Sequence, residues 1–496
     1  MSLDNHRLTR KAADALIRAF EAPQLERQLR HFSEYLSVDR AHVVALVEQG
    51  IIDRSRGAEI LRHLTELSKQ EVKQESFPPE LGSILLQVEH KLANKVGEKT
   101  AGYLSIGRSR IDQMTTARRL YKRRGLLDVA NAITELQSVL IEQAYRYEAT
   151  VMPGYTCLQH SHPWVFGHYL LSFADRLADD FERMTEIYVR VNRSTLGAAG
   201  LSGTSWPLDR RRTMELLGFS DLVCNSRLAR EAYYAAELVG GLSFVMCDLN
   251  DLATDLHIWS SYEFGLVETD DTYCATSSIF PQKKNPIALE AIKFAAGAAV
   301  NWMPTALATF RSEGSGDVTM REVPISDDAL RQTSEMLRLF VGVLSTMTVN
   351  VGRMRELASA NWSTATDIAD LLVRNRGISF REAHHVVARL VRDALACNRK
   401  PSDVTPSMLA ESAAQTLGYP LHVSESELRD ALDPDHFAQT RRTEGGISVA
   451  EVRRMSGLAA QRVIYQRDWV EARKYEDVLS SEKLDSAVNS ITGDRK

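Results

Sequence analysis

The sequence contains few cysteine, glycine and proline residues. Its five cysteines are widely spaced and include no Cys-x-x-Cys pair, which argues against a disulfide framework and against a thiolate metal site. Glycine and proline together account for 41 residues (27 plus 14) of 496, and 44% of the side chains are hydrophobic. This composition excludes a disordered, collagen-like or low-complexity chain and is typical of a globular protein.

Long hydrophobic runs and an excess of basic charge are also missing. Apolar stretches break within a few positions, whereas a membrane-spanning helix needs about 20 apolar residues in a row. The 60 basic and 65 acidic residues give a net charge of -5, without the basic surface that nucleic-acid binding requires. Residues 1–11 are polar and precede no apolar segment, unlike a signal peptide. We expect a soluble, cytoplasmic protein that binds neither membranes nor nucleic acid.

Stretches without proline predict long helices, because proline inside a helix removes a hydrogen bond and clashes with the preceding turn. Proline is absent from 80–152, 208–280 and 325–400. In the second stretch apolar residues recur at intervals of four and three, as on one face of a helix packed along others. These residues are Leu238, Leu242, Val245, Leu249, Leu252 and Leu256. Similar patterns follow Pro163 and Ser326. We predict an all-α fold, a long-helix bundle with smaller helical N- and C-terminal domains.

The predicted organisation has an N-terminal helical domain (1–106), a central long-helix bundle (107–360) and a C-terminal helical domain (361–479). Residues 480–496 are rich in serine, aspartate and lysine, and we predict that they form a flexible tail. A bundle helix with one strongly apolar face often packs against another subunit, so we expect self-association.

Three polar stretches interrupt the helical pattern, at 107–113, 152–163 and 274–286. The first holds Arg108 and Arg110, which either bind carboxylates or begin a helix with solvated charges. The second holds His160 and His162. A metal site there is a weak hypothesis, because no acidic residue that could complete the ligand set lies nearby. The third concentrates three hydroxyl groups, two amides and two lysines, a density that favours a functional loop.

The third stretch resembles the signature loop of the fumarase/aspartase superfamily, G-S-S-x-x-P-x-K-x-N-P. The other two stretches, with 196–219 and 380–385, resemble the argininosuccinate lyase family in the same order. This resemblance implies a bundle of the fumarase/aspartase type and a homotetramer whose active sites combine loops of three subunits. It also implies elimination of fumarate from a small succinyl-amine substrate, with no metal or organic cofactor.

The resemblance implies roles for individual residues. Ser277 would remove a proton from carbon, Cys157 stands at the position of the acid, and Glu290 matches the residue that orients a histidine. The substrate-binding residues that it implies are Ser109, Arg110, Thr156, Gln282, Lys283 and Asn285. A serine hydroxyl is a poor base, so Lys283 and backbone N–H groups are expected to favour its alkoxide. We interpret the neighbouring Lys284 as a solvated surface lysine.

The sequence departs from the family pattern on the acid side. The family's T-H-L-Q reads Thr156-Cys157-Leu158-Gln159, so a cysteine replaces the histidine and Glu290 loses its usual partner. Cys157, His160 and His162 stay open as donors of the leaving-group proton. Ile111 replaces an asparagine, which makes the predicted pocket more apolar. The segments 82–85 and 316–322 differ from the family as well.

Because the base side is retained, we predict a carbon–nitrogen lyase that acts on argininosuccinate or a related N-substituted aspartate. The reaction can also run in reverse, as addition of an amine to fumarate, and arginine biosynthesis is the expected setting if argininosuccinate is the substrate. The alternative is a catalytically impaired structural paralogue, which the loss of the histidine favours and the intact Ser277–Asn285 loop disfavours. Succinyl elimination from a nucleotide fits the sequence less well.

Overall fold

The computed structural model describes residues 11–72, 74–311 and 322–493. It is 71% helical and 4% strand, which confirms the predicted all-α class. The noted departure at 316–321 and the last three residues of the predicted tail lie outside the described residues. Within the described part of the chain, no helix combines the length and the apolar composition that crossing a membrane requires.

The N-terminal region is built from short and medium helices around one apolar cluster. Its helices are α1 (Asp14–Leu16), α2 (Ala22–Arg30), α3 (Phe32–Glu48), α4 (Arg54–Ser68), α5 (Ile84–Val96) and α6 (Glu98–Ala101). Tyr35, Leu61 and Leu92 are fully buried in the cluster. Leu120 from the first long helix also packs there, so the N-terminal region is joined to the bundle by a continuous core.

The central region is a bundle of long helices. Its helices are α7 (Arg110–Arg146), α8 (Phe166–Val191), α9 (Arg210–Leu216), α10 (Tyr233–Trp259), α11 (Ile287–Ala299), α12 (Trp302–Ala308) and α13 (Ile325–Thr346). The apolar face predicted between Leu238 and Leu256 lies on α10, and all six of its residues are buried. The periodicity of the sequence therefore identified the central helix of the core.

The C-terminal region contains a small helical unit and one very long helix. Its helices are α14 (Val351–Ala358), α15 (Ala365–Arg376), α16 (Phe380–Ala396), α17 (Pro406–Leu417), α18 (Glu425–Leu432), α19 (Pro434–Thr440) and α20 (Val449–Thr492). Residues between 362 and 431 form their own apolar cluster. The boundaries of the predicted domains stay a prediction.

Among the residues that the structure describes, five pairs of two-residue strands fix the loops at the ends of the bundle. The pairs are β1 (Val151–Met152) with β4 (Trp164–Val165), β2 (Tyr155–Thr156) with β3 (Gln159–His160), β5 (Arg193–Ser194) with β6 (Asp221–Leu222), β7 (Val267–Glu268) with β10 (Thr348–Val349), and β8 (Ala275–Thr276) with β9 (Lys284–Asn285). The β5–β6 pair is parallel and the others are antiparallel.

The structure differs from the prediction of a flexible tail at 480–496. Residues 480–492 are the last turns of α20, and Leu484, Val488 and Ile491 are buried in the N-terminal cluster. Arg40 also pairs with Asp485. The intervals of four and three between these apolar residues place them on one helix face. The many polar residues around them led to the prediction of a flexible tail.

Buried charges connect α7 to its neighbours. Lys122 of α7 and His31 both contact Asp327 of α13, at 2.9 and 2.7 Å. Burial alone would raise the pKa of Asp327, but the adjacent Lys122 and His31 outweigh it and hold the pKa far below its ordinary value. Arg118 pairs in the same way with Glu322, at 2.9 Å. A buried charge without a partner is costly, so these pairs fix how α13 lies on α7.

Removing the buried carboxylate should destabilise the fold. We expect Asp327→Asn to lower the free energy of unfolding by about 3–5 kcal/mol, because it leaves Lys122 buried without a counter-charge. The neighbouring Asp328 is 54% exposed and pairs with Arg30, so Asp328→Asn should cost at most about 1 kcal/mol. Urea unfolding followed by circular dichroism measures both, and equal losses would contradict this account.

Candidate active site

The first candidate segment is the start of α7, which a buried carboxylate holds in place. Ser109 caps the helix: its Oγ accepts the N–H of Ile111, and its own N–H donates to Asp112 at 2.8 Å. The other oxygen of Asp112 accepts the N–H groups of Gly197 and Ala199, at 3.0 and 3.2 Å. Burial raises the pKa of Asp112 in spite of these donors. Asp112 lies within the 107–113 motif but was not among the residues predicted from the sequence.

The two arginines of this segment have different surroundings. Arg108 has a side chain only 1% exposed and pairs with Asp39, which also accepts from Gln113. Arg110 is exposed at the helix start. Ile111 is partly buried against the N-terminal apolar cluster. Arg108 is therefore part of the fold, while Arg110 is exposed at the start of α7.

The second segment is a hairpin whose two-residue turn carries the cysteine. Thr156 pairs with Gln159, so Cys157 and Leu158 form the turn, with φ angles of 53° and 57°. A turn with two positive φ values matches the twist of a hairpin but normally uses asparagine, aspartate or glycine. Cys157 and Leu158 are exposed, and this backbone strain is a feature of functional turns.

The two histidines of the second segment are engaged in structural contacts. The ring of His160 packs edge-on against Tyr155, with 5.2 Å between centroids, and burial lowers the pKa of His160. His162 shares a hydrogen bond with Thr366 at 3.1 Å and packs against Phe437. A side chain at Gly154 would meet the carbonyl oxygen of His162 at 2.1 Å, so the glycine is required for this loop.

The third segment is a hairpin loop, with Thr276 paired to Lys284 and Ala275 paired to Asn285. The Oγ of Ser277 accepts the backbone N–H groups of Ile279 and Phe280, at 3.2 and 3.0 Å. Two donors directed at one hydroxyl oxygen stabilise negative charge on it. The side chain that resemblance assigns as the base thus receives two backbone hydrogen bonds, and its role as the base stays a prediction.

The base of this loop is held by ion pairs. Lys284 contacts Asp271 at 2.7 Å and Glu268 at 2.9 Å, and these hydrogen bonds raise the pKa of Lys284. Lys284 is exposed at the surface, as interpreted from the sequence, and it also fastens the loop to the β7 segment through these two ion pairs. Gln282 and Lys284 line a cleft of about 610 Å³ beside the loop, and Lys283 is exposed.

Glu290 lies in the first turn of α11, directly after the loop. Its Oε1 is 3.9 Å from Nε2 of His257, in the last turn of α10. His257 was not predicted from the sequence, where its one signal is a histidine beside the apolar face of a long helix. Glu290 thus has an imidazole partner within its own chain.

One chain brings together some of the predicted residues and separates others. The ring contact between Tyr155 and Phe264, 5.6 Å between centroids, puts the cysteine hairpin at the same end of the bundle as the segment leading to Ser277. Ser109 and Arg110 begin α7, whose 37 residues span about 55 Å at 1.5 Å per residue. They therefore lie at the opposite end of the bundle from Ser277 and Thr156.

Comparison with known proteins gives two family matches. The family described as lyase matches residues 9–300, and the family described as argininosuccinate lyase C-terminal matches residues 362–439. The chain is 33% identical over 425 residues to argininosuccinate lyase from Methanosphaera stadtmanae, covering 85% of this chain and 91% of the relative. It is 35% identical to argininosuccinate lyase from Methanothermobacter thermautotrophicus, covering the same shares.

The fold is similar to that of a solved lyase. An EDDS lyase variant with bound fumarate superposes with a TM-score of 0.87 and 31% identity, covering 98% of this chain and 97% of that chain. A class II fumarase from Schistosoma mansoni has a TM-score of 0.69 at 16% identity, which shows a shared fold. The match extends through all three helical regions.

Loosening the Ser277 loop should be measurable. Lys284→Met keeps the side-chain length but removes both ion pairs, which together contribute about 1 kcal/mol. We expect amide hydrogen exchange over residues 277–283 to become about fivefold faster, because these amides exchange by local opening. Lys69→Met, at an exposed site after α4, is the control. Unchanged exchange in Lys284→Met would show that the ion pairs do not hold the loop.

Proposed function

The chain belongs to the lyase family that includes argininosuccinate lyase, and we propose how its residues perform the reaction of a carbon–nitrogen lyase that eliminates fumarate from an N-substituted aspartate. The observation that carries the residue assignments is the pair of backbone N–H groups directed at Ser277 Oγ. Ser277 is the base, and it acts on the carbon next to a substrate carboxylate.

The reaction is difficult because the proton on the carbon next to the substrate carboxylate is very weakly acidic. As Ser277 Oγ takes it, the electron pair of the C–H bond moves into the adjacent carboxylate, whose negative charge increases. Preorganised cations and donors stabilise such a charge without reorganisation of solvent. Lys283 and Asn285, on the same hairpin as Ser277, supply a cation and an amide for this carboxylate.

In the second step the stored electron pair forms the carbon–carbon double bond of fumarate, and the carbon–nitrogen bond breaks with its electrons on nitrogen. The leaving nitrogen then needs a proton. Cys157 and Glu290 belong to this acid side. The remaining proposed contacts to substrate come from Ser109, Arg110, Thr156 and Gln282. The substrate's own carboxylate accepts the electron pair, so the mechanism needs no metal or organic cofactor.

We also propose that the active site forms between subunits of a homotetramer. Support comes from the length of α7, since about 55 Å separates the Arg110 end from the Ser277 end. A second observation is a set of exposed apolar side chains on α10, α11 and α12, a surface typical of subunit contacts. These side chains are Phe244 (58% exposed), Phe294 (83%), Met303 (42%) and Leu307 (46%).

Argininosuccinate is the first substrate to test, because it names the enzyme in the curated relatives. Ser277→Ala should lower the rate of fumarate release, followed by ultraviolet absorbance, by about 10²–10⁴-fold, the usual contribution of a positioned base. The adjacent Ser278→Ala is the matched control and should keep most of the activity.

If argininosuccinate is inert, fumarate should be offered with a panel of amines in the addition direction. A product that depends on Ser277 would identify a lyase with a different amine. The absence of any Ser277-dependent reaction would reject the lyase proposal in favour of the impaired paralogue.

Mixed oligomers test whether chains share the site. We expect Ser277→Ala and Arg110→Ala each to be inactive alone, yet to recover about a quarter of wild-type activity when coexpressed in equal amounts. One site in four then draws an intact Ser277 and an intact Arg110 from different chains of a symmetric oligomer. Light scattering reports the oligomeric state, and an active monomer or no recovery would contradict the shared site.

A further inference from the structure

A cluster of three titratable side chains lies where α10 ends and α11 begins. Nδ1 of His257 is 3.5 Å from Nζ of Lys293, and Nε2 is 3.9 Å from Oε1 of Glu290. The charged side chains that contact His257 among the described residues are these two, both on α11. The imidazole thus stands between an ammonium group and a carboxylate.

The neighbours determine which ring nitrogen carries the proton. A lysine ammonium has donors and no acceptor, so Nδ1 of His257 accepts from Lys293. The neutral ring then carries its hydrogen on Nε2, the nitrogen that faces Glu290. At 3.9 Å this contact is longer than a hydrogen bond, so proton transfer requires the two side chains to approach each other. Lys293 thus fixes the orientation of the ring so that the Nε2 proton of His257 is directed at Glu290.

The cluster is accessible and adjoins the proposed catalytic loop. The side chains of His257 and Glu290 are 32% and 46% exposed, so neither is sealed in the core. Glu290 lies one turn after Pro286, which follows the Ser277–Asn285 loop directly.

Other candidate donors in the described hairpin are less suitable. Burial lowers the pKa of His160, which favours its uncharged form, and His162 is tied to Thr366. Cys157 occupies an exposed, strained turn, and no histidine stands at that position. Glu290 contacts His257 instead.

We propose that His257 is a positioning residue for the acid side of the reaction, holding Glu290 and passing protons to it from solvent while Lys293 orients the imidazole ring. This inference rests on the proposed lyase function. In this arrangement the carboxyl group of Glu290 delivers the proton to the leaving nitrogen. The imidazole of His257 replaces, as the partner of Glu290, the histidine that the family has at the position of Cys157.

The proton balance has three transfers and one exchange. The nitrogen of the breaking carbon–nitrogen bond keeps the bonding electrons and takes a proton from the Glu290 carboxyl group. The resulting carboxylate takes the Nε2 proton of His257, and solvent water supplies a proton to Nδ1. Exchange of the ring protons with solvent then restores the tautomer that carries its hydrogen on Nε2. Ser277 releases to solvent the proton that it removed from carbon, so the proton taken from solvent is returned and the enzyme is back in its starting state.

His257→Gln tests the relay in the intact enzyme. Glutamine can still donate a hydrogen bond to Glu290 but cannot accept one proton while releasing another. We expect kcat to fall about 10²-fold, as for loss of acid catalysis, with KM changed less than threefold. His384→Gln, on the exposed face of α16, is the matched control and should leave both constants unchanged. Cys157→Ala should lower kcat less than His257→Gln does.

Two readouts separate proton transfer from a structural effect. The pH profile of kcat in His257→Gln should differ from that of the wild type, because glutamine cannot transfer a proton. In His257→Ala, added imidazole should restore at least tenfold in kcat, because the site is open to solvent. Circular dichroism of each variant shows whether the fold is retained.

The outcomes distinguish this inference from the proposed function. Full activity of His257→Gln, with Ser277→Ala inactive, would overturn the relay and leave the lyase assignment standing. A folded His257→Ala that loses activity but gains none with imidazole, with an unchanged pH profile in His257→Gln, would also overturn it. Absence of Ser277-dependent chemistry in the wild type would instead reject the lyase proposal itself.

Discussion

The packing of α7 is the constraint on which the rest of the molecule depends. Its first half buries charged side chains that each need a partner from another region: Arg118 pairs with Glu322, Lys122 with Asp327, and Arg123 with Asp477 of α20. Unpaired burial of any of them would be costly. These pairs therefore fix α13 and α20 on α7 more specifically than apolar contacts would, and they set where the loops at both ends of the bundle lie.

The proposed catalytic groups lie in loops supported by this rigid frame, and each loop is held by a different device. Asp112 secures the segment that carries Arg110 by accepting three backbone N–H groups. Lys284 fastens the Ser277 hairpin through two carboxylates. The hairpin that carries Cys157 has a tight turn with two left-handed residues. The fold supplies precise positions, while the chemistry depends on a few side chains at the loop tips.

The long helices could be predicted from the sequence because their apolar spacing is a local property, as the buried face of α10 between Leu238 and Leu256 illustrates. The roles of Arg108 and Lys284 could not be predicted from the sequence. An arginine or lysine in a polar loop gives the same sequence pattern whether its partner is solvent or a distant carboxylate such as Asp39. His257 was missed for the same reason: its contact with Glu290 exists only once α10 and α11 pack together. The burial of Leu484 likewise depends on a surface formed by the N-terminal helices.

The path of α20 also imposes an order in time on how the chain reaches its final form. Arg40 and Asp485 meet across 445 positions, and the N-terminal core is closed by Leu484, Val488 and Ile491. During synthesis the N-terminal helices leave the ribosome first, yet an apolar side of their core stays uncovered until the last helix has been made. Closing the N-terminal core this late, through contacts between distant parts of the chain, is slow and leaves apolar surface exposed to other molecules. The part of the protein that is made first is thus among the last to be finished.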